Sequence, residues 1–238
     1  MRVSASRLRA HRGTGGLEPA SPALNTRTRI KICGLTREAD VDAAVEAGAD
    51  AIGFVLYPKS ARHVTPERAA ALARRLPPFV TPVALLVHAT PAERDAALAA
   101  LPQALLQFHG DETPEDCRAA GRAYLRAVRM APGVDLLDFA SRFPDACGLL
   151  LDAHVESYGG SGKAFDWSLI PSGVPLPVVL SGGLHAANVI DGILQVRPWA
   201  VDVSSGVEAA KGIKDAAAMR RFCEAVREAD ARIADSEA

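Results

Sequence analysis

The sequence lacks the features of a secreted, membrane-spanning or nucleic-acid-binding chain. The four cysteines are Cys33, Cys117, Cys147 and Cys223, and none of them forms a CxxC pair. This spacing argues against a structural zinc site and against a disulfide framework. The formal net charge is −1, so the charge balance indicates neither a nucleic acid nor an anionic membrane as partner. No apolar run approaches the roughly 18 to 20 residues that a transmembrane helix needs. We therefore expect a protein of the reducing cytoplasm.

The chain is long enough, at 238 residues, for one large α/β domain. Residues 1–28 differ from the rest, since they hold five arginines against the single acid Glu18 and show no apolar periodicity. A disordered or overlong N-terminal extension fits this segment, and a transit peptide would have a similar composition. We expect one domain over residues 29–230 and a frayed tail over residues 231–238.

From residue 29 onward, apolar strands alternate with helical patterns. The strands are continuous apolar runs such as residues 83–87, which is typical of a parallel sheet buried on both faces. Threonine precedes proline at Thr65, Thr90 and Thr113, and each pair predicts a helix N-cap followed by the first helical residue. The last helix is predicted over residues 215–227. Eight such units predict a single-domain (β/α)8 barrel, or TIM barrel. The turn after the first strand has only one glycine, which argues against a doubly wound dinucleotide-binding sheet.

The ends of the predicted strands carry two candidate anion-binding turns. Ser181, Gly182 and Gly183 follow strand seven, while Ser204, Ser205 and Gly206 follow strand eight. Phosphate sites of such barrels lie after these two strands, so the turns predict a phosphate cradle. The alternative is that both are tight turns that need glycine for positive φ. The glycine-rich segment 159–163 does not fit a Walker motif and predicts a loop over the end of strand six.

Cys33 ends strand one and Asp152 ends strand six, so they would lie on either side of that cradle. Each residue alone could be structural, Cys33 as a small buried hydrophobe and Asp152 as a cap. Together they could take one proton and give another, which suits an isomerisation of a sugar phosphate. A thiol has an ordinary pKa near 8.5, so a basic Cys33 would need a lowered pKa.

Seven ordered motifs between residues 29 and 228 resemble phosphoribosylanthranilate isomerases. They are residues 31–36 (KICGLT), 53–64, 107–110 (QFHG), 151–152 (LD), 159–167, 181–184 (SGGL) and 201–208 (VDVSSGVE). The resemblance implies an isomerase of the third step of tryptophan biosynthesis. Its reaction is the Amadori rearrangement of N-(5-phospho-β-D-ribosyl)anthranilate to 1-(2-carboxyphenylamino)-1-deoxy-D-ribulose 5-phosphate.

The resemblance also implies roles for individual residues. Cys33 would be the general base that removes the ribose C2 proton, and Asp152 the general acid that protonates the ring oxygen. Arg62 would hold the anthranilate carboxylate and Asp202 a ribose hydroxyl. The predicted phosphate and substrate contacts are completed by His109, Gly182, Gly183, Ser204, Ser205 and Gly206. For His109 and for the neighbouring His63, a structural role is an equal alternative. No metal or organic cofactor is expected, because the iminium intermediate itself accepts the electrons.

Other interpretations remain at this point. A pentose-phosphate epimerase would need His and Asp metal ligands at several strand ends, and a histidine-pathway isomerase an aspartate in place of Cys33. A barrel that binds phosphosugars without catalysis would not need both Cys33 and Asp152. The expected partner is a small phosphoribosyl substrate, with the chain as a monomer or homodimer.

Overall fold

The computed structural model describes residues 27–153 and 164–237. Most of the predicted N-terminal extension and the glycine-rich segment 159–163 therefore lie outside the described residues. Within the described ranges, no helix combines the length and the apolar character needed to cross a bilayer.

Eight parallel strands form a closed barrel in which each strand pairs with the next and the last pairs with the first. The strands are β1 (Arg29–Cys33), β2 (Ala51–Val55), β3 (Thr81–Leu86), β4 (Leu105–Phe108), β5 (Tyr124–Met130), β6 (Gly148–Ala153), β7 (Val178–Leu180) and β8 (Ala200–Val203). The ring closes where Arg29 pairs with Ala200 and Lys31 with Asp202. The predicted (β/α)8 barrel is thus confirmed.

Helices follow the strands and cover the outside of the barrel. They are α1 (Glu38–Ala47), α2 (Pro66–Ala73), α3 (Pro91–Ala100), α4 (Pro114–Arg118), α5 (Leu136–Arg142), α6 (Val189–Val196) and α7 (Ala216–Glu237). Short 3₁₀ turns span Trp167–Leu169 and Ser205–Val207. After the second turn, β9 (Glu208–Ala210) and β10 (Ile213–Lys214) form an antiparallel hairpin that the sequence analysis did not predict.

The three threonine–proline pairs begin helices as predicted. The hydroxyls of Thr65, Thr90 and Thr113 each accept the N–H of the residue three positions later. At Thr90 the side chain of Glu93 also accepts from the threonine N–H, which completes a capping box. These caps satisfy backbone donors that a helix start leaves without intrahelical partners.

Alternate residues of each strand face the barrel interior. Ile30 and Ile32 of β1 belong to the apolar layer shared with the helices. Lys31 and Cys33 have the opposite orientation, because side chains of a strand alternate between its two faces. The interior is apolar lower down, where its cluster contains Leu125, Ala127, Leu150, Val179 and Ala200. Polar inward-facing residues such as Lys31 and Asp202 lie closer than this cluster to the carboxyl ends of the strands.

Two sequence expectations need correction. α7 continues to Glu237, ten residues beyond the predicted end, so residues 231–237 are helical rather than frayed. The packed chain begins before residue 29, since Asp230 accepts hydrogen bonds from the backbone N–H and the hydroxyl of Thr28. Among the cysteines outside the site, Cys147 is exposed, whereas Cys117 and Cys223 are buried.

Candidate active site

A cavity opens at the carboxyl ends of the strands. It is the side of such barrels where side chains from different strands meet. The predicted site residues that line it are Cys33, Arg62, His109, Asp152, Gly182, Gly183, Asp202, Ser204 and Ser205. Gly206 does not line the cavity, and His63 lines a separate cavity beside α2.

Asp152 is held at the end of β6 by a chain of hydrogen bonds that crosses to β4. Its Oδ2 lies 3.1 Å from His109 Nε2, and His109 Nδ1 lies 2.9 Å from the side-chain nitrogen of Gln107. If the Gln107 amide donates to Nδ1, the imidazole proton is on Nε2 and points at the carboxylate. Gln107 is fully buried. His109 thus orients the carboxyl group from inside the barrel, and it also lines the cavity.

Cys33 lies at the end of β1 with its thiol against β2. A Cβ on the facing Gly53 would come within 2.6 Å of the sulfur, so glycine is needed there for the thiol to fit. Burial raises the pKa of Cys33; the charges of Lys31 and Lys214 lower it, but not enough to offset the burial. The direction is opposite to the lowered pKa that a basic Cys33 would need.

Below Cys33, a buried ion pair joins the two strands that close the barrel. Lys31 Nζ lies 2.7 Å from Asp202 Oδ1, and both side chains are about 95% buried, with exposures of 4% and 6%. Ser181 Oγ donates to the other carboxylate oxygen of Asp202 at 3.3 Å. Asp202, predicted to bind a ribose hydroxyl, therefore has two protein donors.

A second charge network lies beside the cavity and joins the loop after β2 to the β9–β10 hairpin. Arg62 makes a two-pronged contact with Glu208, with Nε and Nη2 at 2.7 and 2.8 Å from its oxygens. Lys214 Nζ donates to Glu208 at 2.8 Å and to the carbonyl of Ser204 at 3.0 Å. Burial alone would raise the pKa of Glu208, but the hydrogen bond from Arg62 and the nearby Lys214 lower it overall.

The turns after β7 and β8 pack against each other. Gly182 and Gly183 have φ values of 79° and 65°, and a Cβ on Gly182 would come within 2.3 Å of the Ala153 nitrogen. A Cβ on Gly206 would come within 1.9 Å of the Leu184 carbonyl oxygen. These glycines are therefore required by the backbone, while the neighbouring Ser205 faces the cavity at the start of a 3₁₀ turn. Both the tight-turn interpretation and a cradle of backbone N–H groups are compatible with this geometry.

The chain that forms this site matches a known protein family. Residues 30–225 match the family model described as N-(5'-phosphoribosyl)anthranilate (PRA) isomerase, and this range includes every residue of the candidate site described above.

The chain belongs to the phosphoribosylanthranilate isomerase family.

The predicted family and the predicted enzyme class, an isomerase of tryptophan biosynthesis, are thereby confirmed. The N-(5'-phosphoribosyl)anthranilate isomerase of Methylibium petroleiphilum is 74% identical over 211 residues, covering 89% of this chain and 99% of that protein.

Two solved members of the family share the fold. One, described as generated monomers of the dimeric enzyme of Thermotoga maritima, is 37% identical with a TM-score of 0.75, covering 84% of this chain and 99% of that one. The other is a complex with reduced 1-(o-carboxyphenylamino)-1-deoxyribulose 5-phosphate, 38% identical with a TM-score of 0.75 and the same coverage.

Sequence reasoning missed four residues of this phosphoribosylanthranilate isomerase site. Lys31, Gln107, Glu208 and Lys214 were not assigned any role. The first two could have been found, because each lies two residues before a predicted site residue on the same strand face. Glu208 and Lys214 depend on the unpredicted hairpin. Among the described residues, no cluster of three or more His, Cys, Asp or Glu side chains is arranged to hold a metal ion.

We expect Glu208→Gln to destabilise the fold by about 3 kcal/mol at pH 7, since it leaves Arg62 and Lys214 without their buried counter-ion. The folded-state pKa of Glu208 lies below its usual value, so its contribution is present above the unfolded pKa of about 4.3 and is lost as pH falls. Urea unfolding of both proteins between pH 7 and about pH 3 should show a nearly constant difference above about pH 5 that narrows below the unfolded pKa. The exposed Glu46→Gln is the control, and a pH-independent difference would contradict this account.

Proposed function

We propose that this chain converts N-(5-phospho-β-D-ribosyl)anthranilate to 1-(2-carboxyphenylamino)-1-deoxy-D-ribulose 5-phosphate by an Amadori rearrangement, with Cys33 as general base and Asp152 as general acid. The observation that carries the proposal is the position of these two side chains. Both line one cavity, from β1 and β6, with the turns after β7 and β8 between them. A substrate whose phosphate occupies those turns would have one proton acceptor and one proton donor on opposite sides.

The reaction needs two proton transfers in sequence. Asp152 gives a proton to the furanose ring oxygen, the bond from C1 to that oxygen breaks, and the nitrogen lone pair forms an iminium ion. The Cys33 thiolate then removes the proton from C2, and the C–H electron pair forms a double bond to C1 while the iminium nitrogen becomes neutral. The resulting enol tautomerises to the ketone. The iminium supplies the electron sink, so the step requires no metal or cofactor.

The cavity offers a contact for each remaining part of this substrate. The backbone N–H groups around Gly183 and Ser205 suit the phosphate. Arg62 uses Nε and Nη2 on Glu208, so we assign the anthranilate carboxylate to its remaining nitrogen Nη1. A carboxylate oxygen accepts more than one hydrogen bond, so Asp202 can bind a ribose hydroxyl in addition to Lys31.

The small phosphoribosyl substrate is the proposed partner. The predicted absence of a nucleic-acid partner, the cytoplasmic location and the choice between monomer and homodimer stay predictions.

We expect Asp152→Asn to lower kcat by about 10³-fold, since the amide places no acidic proton at the ring oxygen. Binding should persist, and we expect the Kd for the reduced product analogue to change by less than about threefold, well under 1 kcal/mol. Turnover is followed by the loss of substrate fluorescence, with and without EDTA. The exposed Asp191→Asn is the matched control. Turnover near that of the unaltered enzyme in Asp152→Asn would refute the acid assignment, and loss of activity in EDTA would favour a metal-dependent epimerase.

We expect Cys33→Ser to lower kcat by at least about 10²-fold, because a hydroxyl is a far weaker base than a thiolate. The same exchange at the exposed Cys147 serves as the control and should leave kcat unchanged. The assay is the same fluorescence decay, at saturating substrate. Full activity of Cys33→Ser would show that the thiol is not the base.

A further inference from the structure

Lys31 is a buried cation to which the proposed reaction assigns no role. Its ammonium group lies inside the barrel with 4% of the side chain exposed and pairs with Asp202 at 2.7 Å. A buried ion pair is weak support for a fold, because the loss of hydration offsets much of the attraction between the charges. Inward-facing positions further from the carboxyl ends of the strands are apolar, such as Leu150 and Val179. Stability therefore gives little reason for a charge pair at this place.

The register of β1 brings Lys31 to the thiol. Lys31 and Cys33 are two residues apart on one strand, so their side chains leave on the same face of the sheet. The ammonium group donates a hydrogen bond to Asp202 at 2.7 Å, and its charge acts on both Asp202 and the Cys33 thiol. Burial lowers the pKa of Lys31, but these two partners more than offset it, so the group stays protonated. One buried ammonium group thus acts by charge on both the thiol and a buried carboxylate.

Several other groups face Cys33 from the surrounding elements. On the β2 and β3 side the neighbours are apolar, with Val55, Leu85, Val87 and the ring of Tyr57. Across the cavity lie Asp152 and His109. Lys214 of the hairpin and Arg62 of the loop after β2 also exert their charges on the thiol, but both use hydrogen bonds on Glu208. Of these cations, Lys31 is the one on the same strand face as the thiol, and its charge lowers the pKa of Cys33 more than that of Lys214 does.

We propose that Lys31 is a positioning residue that stabilises the thiolate form of Cys33, and that Asp202 holds the ammonium group in place and moderates its effect. The inference rests on the proposed role of Cys33 as the base. The ammonium group keeps its proton throughout, so no additional reactant is needed. When Cys33 is a thiolate, the positive charge of Lys31 is attracted by two anions, the Cys33 sulfur and the Asp202 carboxylate. When C2 gives its proton to the sulfur, the pair with Asp202 remains.

The test is a direct titration of the thiol, independent of turnover. The rate of alkylation by iodoacetamide is measured from pH 6 to 10 in a Cys147→Ser background, which removes the exposed thiol. Burial raises the pKa of Cys117 to about 12 and that of Cys223 to about 11, so neither titrates in this range. The additional Cys33→Ser variant gives the background rate.

We expect Lys31→Gln to raise the alkylation midpoint by at least about one pH unit, a tenfold change in the thiol equilibrium. Lys31→Arg should keep the midpoint within about half a unit, because the charge is retained. Asp202→Asn should move it in the opposite direction, to lower pH, since it removes an anion and leaves the cation. Opposite shifts for the two partners are not expected if the pair is only structural.

An unchanged midpoint in Lys31→Gln, or shifts of the same sign for Lys31→Gln and Asp202→Asn, would overturn the inference. If Lys31→Gln does not fold, Asp202→Asn and Lys31→Arg decide it, because a midpoint that does not fall in Asp202→Asn is also contradictory. The acid limb of the kcat/KM profile should move with the alkylation midpoint. A midpoint that shifts while the rate profile does not would leave the Lys31–Cys33 pair intact and contradict instead the proposed base role of Cys33.

Discussion

Closure of the barrel between β1 and β8 is the constraint on which the site depends. The pairing of Arg29 with Ala200 and of Lys31 with Asp202 defines the register of the two closing strands. Because the side chains of each strand alternate, this register decides which residues face inward together. It places Lys31 beside Asp202 and raises Cys33 to the mouth of the cavity. A shift of one residue would turn Cys33 toward the helices and remove the thiol from the site.

The mouth of the barrel contains more fixed positive than negative charge around the closing strands. Lys31, Arg62 and Lys214 face two buried anions, Asp202 and Glu208. One cation is thus in excess among largely buried side chains, where charge interactions are stronger than in bulk solvent. That excess suits a phosphorylated, carboxylated substrate and a thiolate. The charges of Lys31 and Lys214 also offset part of the burial effect that raises the pKa of the Cys33 thiol.

The sequence was sufficient to predict features that depend on neighbouring residues. Helix starts at Thr65, Thr90 and Thr113 follow from local capping, and the strands from continuous apolar runs. The cavity lining followed from the rule that strand carboxyl ends meet. The missed features depend on distant contacts. Lys31 and Asp202 are 171 residues apart, and Arg62 and Glu208 are 146 apart, so no local pattern joins them.

Other differences have equally physical causes. The β9–β10 hairpin consists of three and two residues, too short for an apolar period to show. The prediction for α7 was too short because the last turns carry mostly polar residues. Ala229 and Ile233 nevertheless pack against the apolar core and extend the helix. The direction in which the pKa of Cys33 shifts depends on its burial, which the sequence motif does not encode.

The central claim is that Cys33 and Asp152 act on opposite sides of a substrate whose phosphate is held between them. A crystal structure of this enzyme with reduced 1-(o-carboxyphenylamino)-1-deoxyribulose 5-phosphate tests it most directly. The account predicts the phosphate on the turns at Gly183 and Ser205, with the Cys33 sulfur within about 3.5 Å of C2 and the Asp152 carboxyl on the other side of the sugar. A phosphate bound elsewhere, or both side chains on the same face of the sugar, would contradict it.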